Sequence, residues 1–303
     1  MYDGPVVDAH THLWDLEVGR YPWLAVGGSF GPPGRLDPLK GISYTLDDYR
    51  RDVAGHPVVA SVHVEALWDP DDDPVAETRW LDSIPRDDLL VDRYVAGVRF
   101  GRADTNDVIR RHLQHPRVRG VRQAIGWTPD PARRAVERPG ITADPAWRSA
   151  IPLLVESDLL LELLLYPWQG DDVAALADDH PDLTIVIDHM ASPIDQDAEG
   201  LARWRRAVEL MGARPNVHIK ASAAAAYIDR PSADRVAPFL RHVVRHFGPE
   251  RVMFGSDFPV GRLVGWTYGE YLDLYRSCFD ELGRSDQQLV FYDNARALYD
   301  LRV

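Results

Sequence analysis

The sequence predicts a closed (β/α)8 barrel, built as one α/β domain over residues 1–303. Three observations predict it. Eight strand-like runs recur along the chain, helix-like segments separate most of them, and polar residues collect where the runs end. Most runs are continuously apolar rather than alternating, which suits parallel strands covered on both faces.

The strand-like runs are 6–12, 58–66, 94–100, 118–125, 159–166, 183–190, 216–222 and 251–257. Helix-like segments follow at 45–54, 104–115, 144–157, 171–180, 201–213, 232–247 and 266–282, with a last helix over 285–301. Asp144 and Ser232 read as N-caps, since a short polar side chain precedes helix-forming sequence in each case. An open doubly wound sheet is the alternative, but no Gly-rich dinucleotide turn follows the first run. The Gly/Pro-rich stretches 13–44, 67–88, 126–143 and 191–200 follow strands, so in a barrel they open at the C-terminal face. Tyr21-Pro-Trp23-Leu24 with the glycine-rich stretch 27–34 forms a candidate lid.

A net charge of -13 argues against a nucleic-acid-binding surface and favours a soluble, freely diffusing protein, and the expected partner is a small-molecule substrate. No apolar run is long enough to cross a membrane and no signal peptide is visible, so the expected compartment is cytoplasmic. The lone cysteine, Cys278, reads as a packed thiol in a helix. A homodimer is the oligomer expected by default.

Alternate residues of a barrel strand point inward. His10 and His12 then share a face with Asp8, and the pair is spaced to grip one metal ion or one substrate. The same parity turns inward His63 and Glu65, Arg122 after Gly120, His189 above Ile185 and Ile187, Lys220 with His218 and Ser222, and Asp257 after Gly255. His63 and His218 lie deeper and read as structural. Lys220 reads either as a substrate contact or as the partner of a buried acid. A strand histidine is often only a core residue, but a charged group at a barrel strand end is costly without a partner or a task. Trp14, Trp23, Trp127, Trp168 and Trp266 follow strands or lie in the lid, as pocket walls for a small ring or as plain loop packing.

Several ordered motifs resemble the amidohydrolase superfamily. They are Val7-Asp-Ala-His-Thr-His-Leu-Trp14, Tyr21-Pro-Trp-Leu24, Arg119-Gly-Val-Arg-Gln123, Asp188-His-Met-Ala-Ser-Pro193, His218-Ile-Lys-Ala-Ser222, Phe254-Gly-Ser-Asp-Phe-Pro-Val260 and Asn294-Ala-Arg-Ala-Leu-Tyr299. The resemblance covers nearly the whole chain. It is nearest the "amidohydrolase 2" TIM-barrel hydrolases of sugar lactones (fuconolactonase and rhamnonolactonase type) and of pyrone dicarboxylate. It implies that His10, His12, His189 and Asp257 line the site, that Asp257 handles protons, and that Arg122 reaches substrate oxygens. Strand five ends Leu163-Leu-Leu-Tyr-Pro-Trp168 without the histidine of many relatives, and strand four offers no lysine for a bridging carbamate. A binuclear site is therefore not expected. One divalent ion, zinc by ligand type, would use His10, His12 and Asp257, with Glu65 as a fourth ligand. Metal-free relatives leave the ion open.

The expected reaction is opening of a small lactone by activated water. Asp257 is then the general base, and His189 or Arg122 stabilises the oxyanion. Trp14, Trp23, Glu65, Trp127 and Lys220 are the candidate substrate contacts. The alternatives are a metal-dependent non-oxidative decarboxylase of an unsaturated or aromatic acid and a non-catalytic ligand-binding barrel.

Overall fold

The computed structural model describes residues 1–26 and 37–303. Eight strands run in one sheet in sequence order: β1 (Val6–Thr11), β2 (Val58–Val64), β3 (Arg93–Gly97), β4 (Val118–Ala124), β5 (Leu160–Leu164), β6 (Ile185–Ile187), β7 (Val217–Ala221) and β8 (Val252–Phe254). All adjacent pairs are parallel. The ends of the sheet meet just beyond β8, where Asp257 N–H donates to His10 O at 2.7 Å and His12 N–H to Phe258 O at 2.9 Å. Gly255 permits this seam, because a Cβ there would lie 2.6 Å from His10 Cβ. The barrel expected from the sequence is therefore present.

Helices cover the outside: α1 (Leu46–Val53), α2 (Ala76–Ser83), α3 (Thr105–His112), α4 (Pro145–Arg148), α5 (Ile151–Glu156), α6 (Gly170–Asp179), α7 (Ala198–Gly212), α8 (Ala224–Tyr227), α9 (Ala233–Phe247), α10 (Tyr268–Cys278), α11 (Arg284–Gln288) and α12 (Asn294–Leu298). In α9 the buried residues Val236, Ala237, Leu240, Val243 and Phe247 recur at helical spacing, so one stripe packs inward and the rest faces water. Asp144 caps α4 by accepting from Ala146 N–H, whereas Ser232 occupies the N-cap of α9 without a side-chain bond. The stretch 67–88 contains α2, where the sequence suggested loop alone. The helix expected over 144–157 divides into α4 and α5, because Pro152 lacks the N–H that a continuous helix needs.

Two apolar layers result. Val7, Ala9, Val62, Val64, Val95, Val186 and Met253 fill the barrel, and Ala295 and Tyr299 of the C-terminal segment pack with them. The larger cluster lies between strands and helices. Cys278 is a buried free thiol of α10. No helix among the described residues is long and apolar enough to cross a membrane. Residues 27–34 of the candidate lid lie outside the described residues.

One buried histidine in this outer layer makes acid stability predictable. His112 Nδ1 lies 3.0 Å from Thr78 Oγ1, and burial pushes the ring down to about 4. An unfolded histidine titrates near 6.5. The depressed folded value gives a contribution that is full above about pH 6.5 and is lost as pH falls toward 4, worth roughly 3 kcal/mol. His112→Asn should flatten the pH dependence of stability in that window. Urea midpoints at about pH 7 and about pH 4.5 measure it, and an unchanged slope would exclude His112 as a source.

Candidate active site

The site forms where backbone irregularities break strict strand parity. The pairing register of β1 against β2 shifts between Asp8 and Thr11. Asp8 points outward by ordinary alternation between the inward Val7 and Ala9, and its carboxylate accepts from Tyr49 of α1 at 2.9 Å and Tyr268 of α10 at 3.0 Å. His10 points inward, so the expected shared face of Asp8 and His10 is corrected. A second correction applies to β6. Ile185 and Ile187 pack on the helix side, and Val186 lies with the barrel interior. Asp188 continues inward, and His189 reaches the site through a left-handed turn in which residues 189–192 have φ between 47° and 59°. Asp257 also adopts φ 57°. Non-glycine residues in this region cost energy, which surrounding contacts must offset.

These turns gather three imidazoles around one carboxylate oxygen. Asp257 Oδ1 lies 3.1 Å from His12 Nε2, 3.6 Å from His10 Nε2 and 4.0 Å from His189 Nε2. The His10 and His12 Nε2 atoms are 3.2 Å apart. His12 Nδ1 lies 2.7 Å from Val64 O, and a carbonyl only accepts, so Nδ1 carries the proton and the Nε2 lone pair faces the cluster. His189 Nδ1 is 2.8 Å from Ser222 Oγ. Burial holds His10 well below the usual imidazole range, reinforced by Lys220, and burial also lowers His189. Both are therefore neutral at ordinary pH, the state that ligates a metal or accepts a proton.

The cluster fits a divalent ion. Tetrahedral zinc with bonds of about 2.0–2.2 Å separates its donors by roughly 3.3 Å. His10 Nε2, His12 Nε2 and Asp257 Oδ1 already stand 3.1–3.6 Å apart. His10 Nδ1 faces Asp188 Oδ1 at 3.3 Å, the carboxylate–imidazole support common behind metal-binding histidines.

Beneath the cluster runs a buried charge network. Arg122 Nε donates to Asp188 Oδ2 at 2.7 Å, and another guanidinium nitrogen donates to Glu65 Oε1 at 2.9 Å. Burial works to lower the arginine, yet Asp188 and Glu65 hold it above its ordinary range. Burial likewise opposes ionisation of Asp188, but Arg122, His10 and Lys220 keep it well below the usual carboxylate range. Lys220 Nζ sits 2.6 Å from Glu162 Oε2 and 3.4 Å from His10 Nδ1, and Tyr299 OH donates to the other Glu162 oxygen.

A cleft of about 1080 Å³ meets this network at Glu65 and Arg122, with Trp23, Trp68, Phe100 and Gln123 among its walls. Its lining does not include the histidines. His12, His189 and Asp257 keep 7%, 4% and 3% of their surface exposed, while His10 is fully buried.

The sequence profile described as amidohydrolase matches residues 7–301. The chain belongs to the amidohydrolase family. It is 30% identical over 297 residues to L-fucono-1,5-lactonase of Burkholderia ambifaria, covering 97% of this chain and 94% of that protein. Among solved structures, an amidohydrolase from Burkholderia multivorans with bound zinc superposes with a TM-score of 0.78 at 23% identity, covering 98% of this chain and all of that one. A protein from Pseudomonas putida named as a 2-pyrone-4,6-dicarboxylic acid hydrolase gives 0.72 at 21% identity, covering 99% of this chain and 98% of that one. At these identities the two structures support the fold alone.

As an amidohydrolase the chain is a hydrolase, and the sequence-derived residues fall into two groups. His10, His12, His189 and Asp257 come together, and Arg122, Glu65 and Trp23 border the cleft. Glu65 is not among the donors of the cluster, because its oxygens accept from Arg122 at 2.9 Å and Leu67 N–H at 2.7 Å. Lys220 is fully buried against Glu162 and does not line the cleft. Trp14 is fully buried with its indole N–H on Ile42 O, and Trp127 is covered by Arg134, so neither forms a cleft wall. His63 faces outward to Glu77 of α2. Sequence reasoning missed Glu162 and gave Asp188 no role. Glu162 was detectable as the one charge inside the apolar run Leu159-Leu-Leu-Glu-Leu-Leu-Leu165.

Proposed function

We propose that this amidohydrolase opens a small lactone of the sugar-acid type with water activated at the His10–His12–Asp257 cluster. The observation that carries the reading is the convergence of imidazole nitrogens on one carboxylate oxygen. The 30% identity to a fuconolactonase over nearly the whole chain supports the substrate class. A divalent ion, zinc by donor type, would be held by His10, His12 and Asp257 and would supply Lewis acidity and a water of lowered pKa. Asp257 takes the proton as water attacks the carbonyl carbon, and later returns it to the leaving alkoxide. His189 stabilises the oxyanion: in the tautomer where Nδ1 accepts from Ser222 Oγ, its Nε2–H is a donor 4.0 Å from Asp257 Oδ1. Arg122 is committed to two carboxylates and serves to fix Asp188 and the cleft wall.

A pH-indicator assay over a panel of aldonolactones tests the reading. Stripping with a chelator should lower turnover at least tenfold, and added zinc should restore it. No lactone turned over above the Asp257→Asn background would sink the proposal. Activity indifferent to chelation would remove the ion from it.

A further inference from the structure

A second group of metal-ligating side chains lies on the outside of the barrel. His242 and His246 are one turn apart on α9 and so share a face. Their rings stand side by side with centroids 4.5 Å apart. Glu209 of α7 points between them, its Oε1 3.8 Å from each Nε2. The basic residues of this chain are almost all arginine, and most surface carboxylates near α7 and α9 pair with one. Asp171 holds Arg206 and Glu281 holds Arg241. Glu209 pairs with no guanidinium among the described residues; its close partners are the two imidazoles.

We propose that Glu209, His242 and His246 form a metal site separate from the active site, which takes a borderline divalent ion such as Zn2+, Cu2+ or Ni2+ and ties α7 to α9. The donor chemistry selects this class, since imidazole with one carboxylate suits these ions and hard cations require more oxygens. Closing the donors from 3.8 Å to the roughly 3.3 Å of tetrahedral zinc needs about half an ångström. Glu209 is half exposed and free to move that far. His242 Nε2 lies 3.3 Å from Arg205 O, a long bond given up when Nδ1 takes the proton and Nε2 binds the ion. Water completes the coordination.

The test counts zinc per chain on tag-free protein, stripped with chelator and equilibrated with a small excess of zinc. Wild type is compared with His246→Gln, Glu209→Gln and the barrel variant His12→Ala. The expected result is one ion fewer in His246→Gln than in wild type, weaker binding in Glu209→Gln, and a zinc-induced rise in thermal midpoint that survives His12→Ala but is lost when His246→Gln is added to His12→Ala. Equal zinc content in wild type and His246→Gln overturns the proposal. If wild type binds one ion and His246→Gln none, the outer site stands and the barrel-mouth metal fails, so the two readings separate. Lactone turnover should be unchanged in His246→Gln.

Discussion

Asp257→Asn is expected to lower kcat on any accepted lactone by about 10³-fold while the protein stays folded. Asparagine keeps the size and planar shape of the side chain but removes both the negative charge and the proton acceptor. The position favours the swap, because residue 257 has φ 57° and asparagine tolerates the left-handed region at least as well as aspartate. Circular dichroism and thermal midpoint should therefore change little. Two further readings separate the roles of the carboxylate. Metal content reports its share in holding an ion, and kcat at saturating zinc reports its share in proton transfer. Activity within tenfold of wild type at saturating zinc would remove Asp257 from the base role and pass it to a neighbouring imidazole.

The barrel was legible because a parallel sheet buried on both faces must be apolar throughout, and eight such runs survive in the chain. The clustering of His10, His12, His189 and Asp257 was legible too, since polar groups at barrel strand ends need a task. What strand parity could not supply was orientation beyond the regular ladder. A register shift in β1 turns His10 inward although Asp8 faces the helices, and a left-handed turn after β6 swings in His189 while Ile187 faces out. Both events depend on partners distant in sequence, such as Tyr49 and Tyr268 for Asp8. Trp14 and Trp127 show the same limit: an aromatic after a strand carries no sign of whether its loop turns it toward the cleft. Glu65 likewise had chemistry fit for a metal, but Arg122 lies close enough to take it.

Breaking the Lys220–Glu162 pair is the second large effect. Both groups are fully buried, so removing one leaves the other without its counter-charge. Lys220→Met should cost about 3–5 kcal/mol in urea unfolding, as should Glu162→Leu, which also strips Tyr299 of its acceptor. The double variant Lys220→Met with Glu162→Gln should recover most of that loss, because glutamine is neutral and its carbonyl still accepts from Tyr299. Burial, the largest influence on Glu162, holds it above its ordinary carboxylate range despite Lys220, so the ionised acid is itself a net cost at neutral pH. Strictly additive losses would show that the pair is uncoupled. A pair that costs stability calls for another reason to be there, and the geometry supplies one. Lys220 Nζ lies 3.4 Å from His10 Nδ1 and 3.8 Å from Asp188 Oδ1. Its positive charge disfavours a protonated His10 and so keeps that ring neutral beside the cluster. The double variant should therefore regain stability without regaining kcat, and that split identifies Lys220 as a positioning residue for His10.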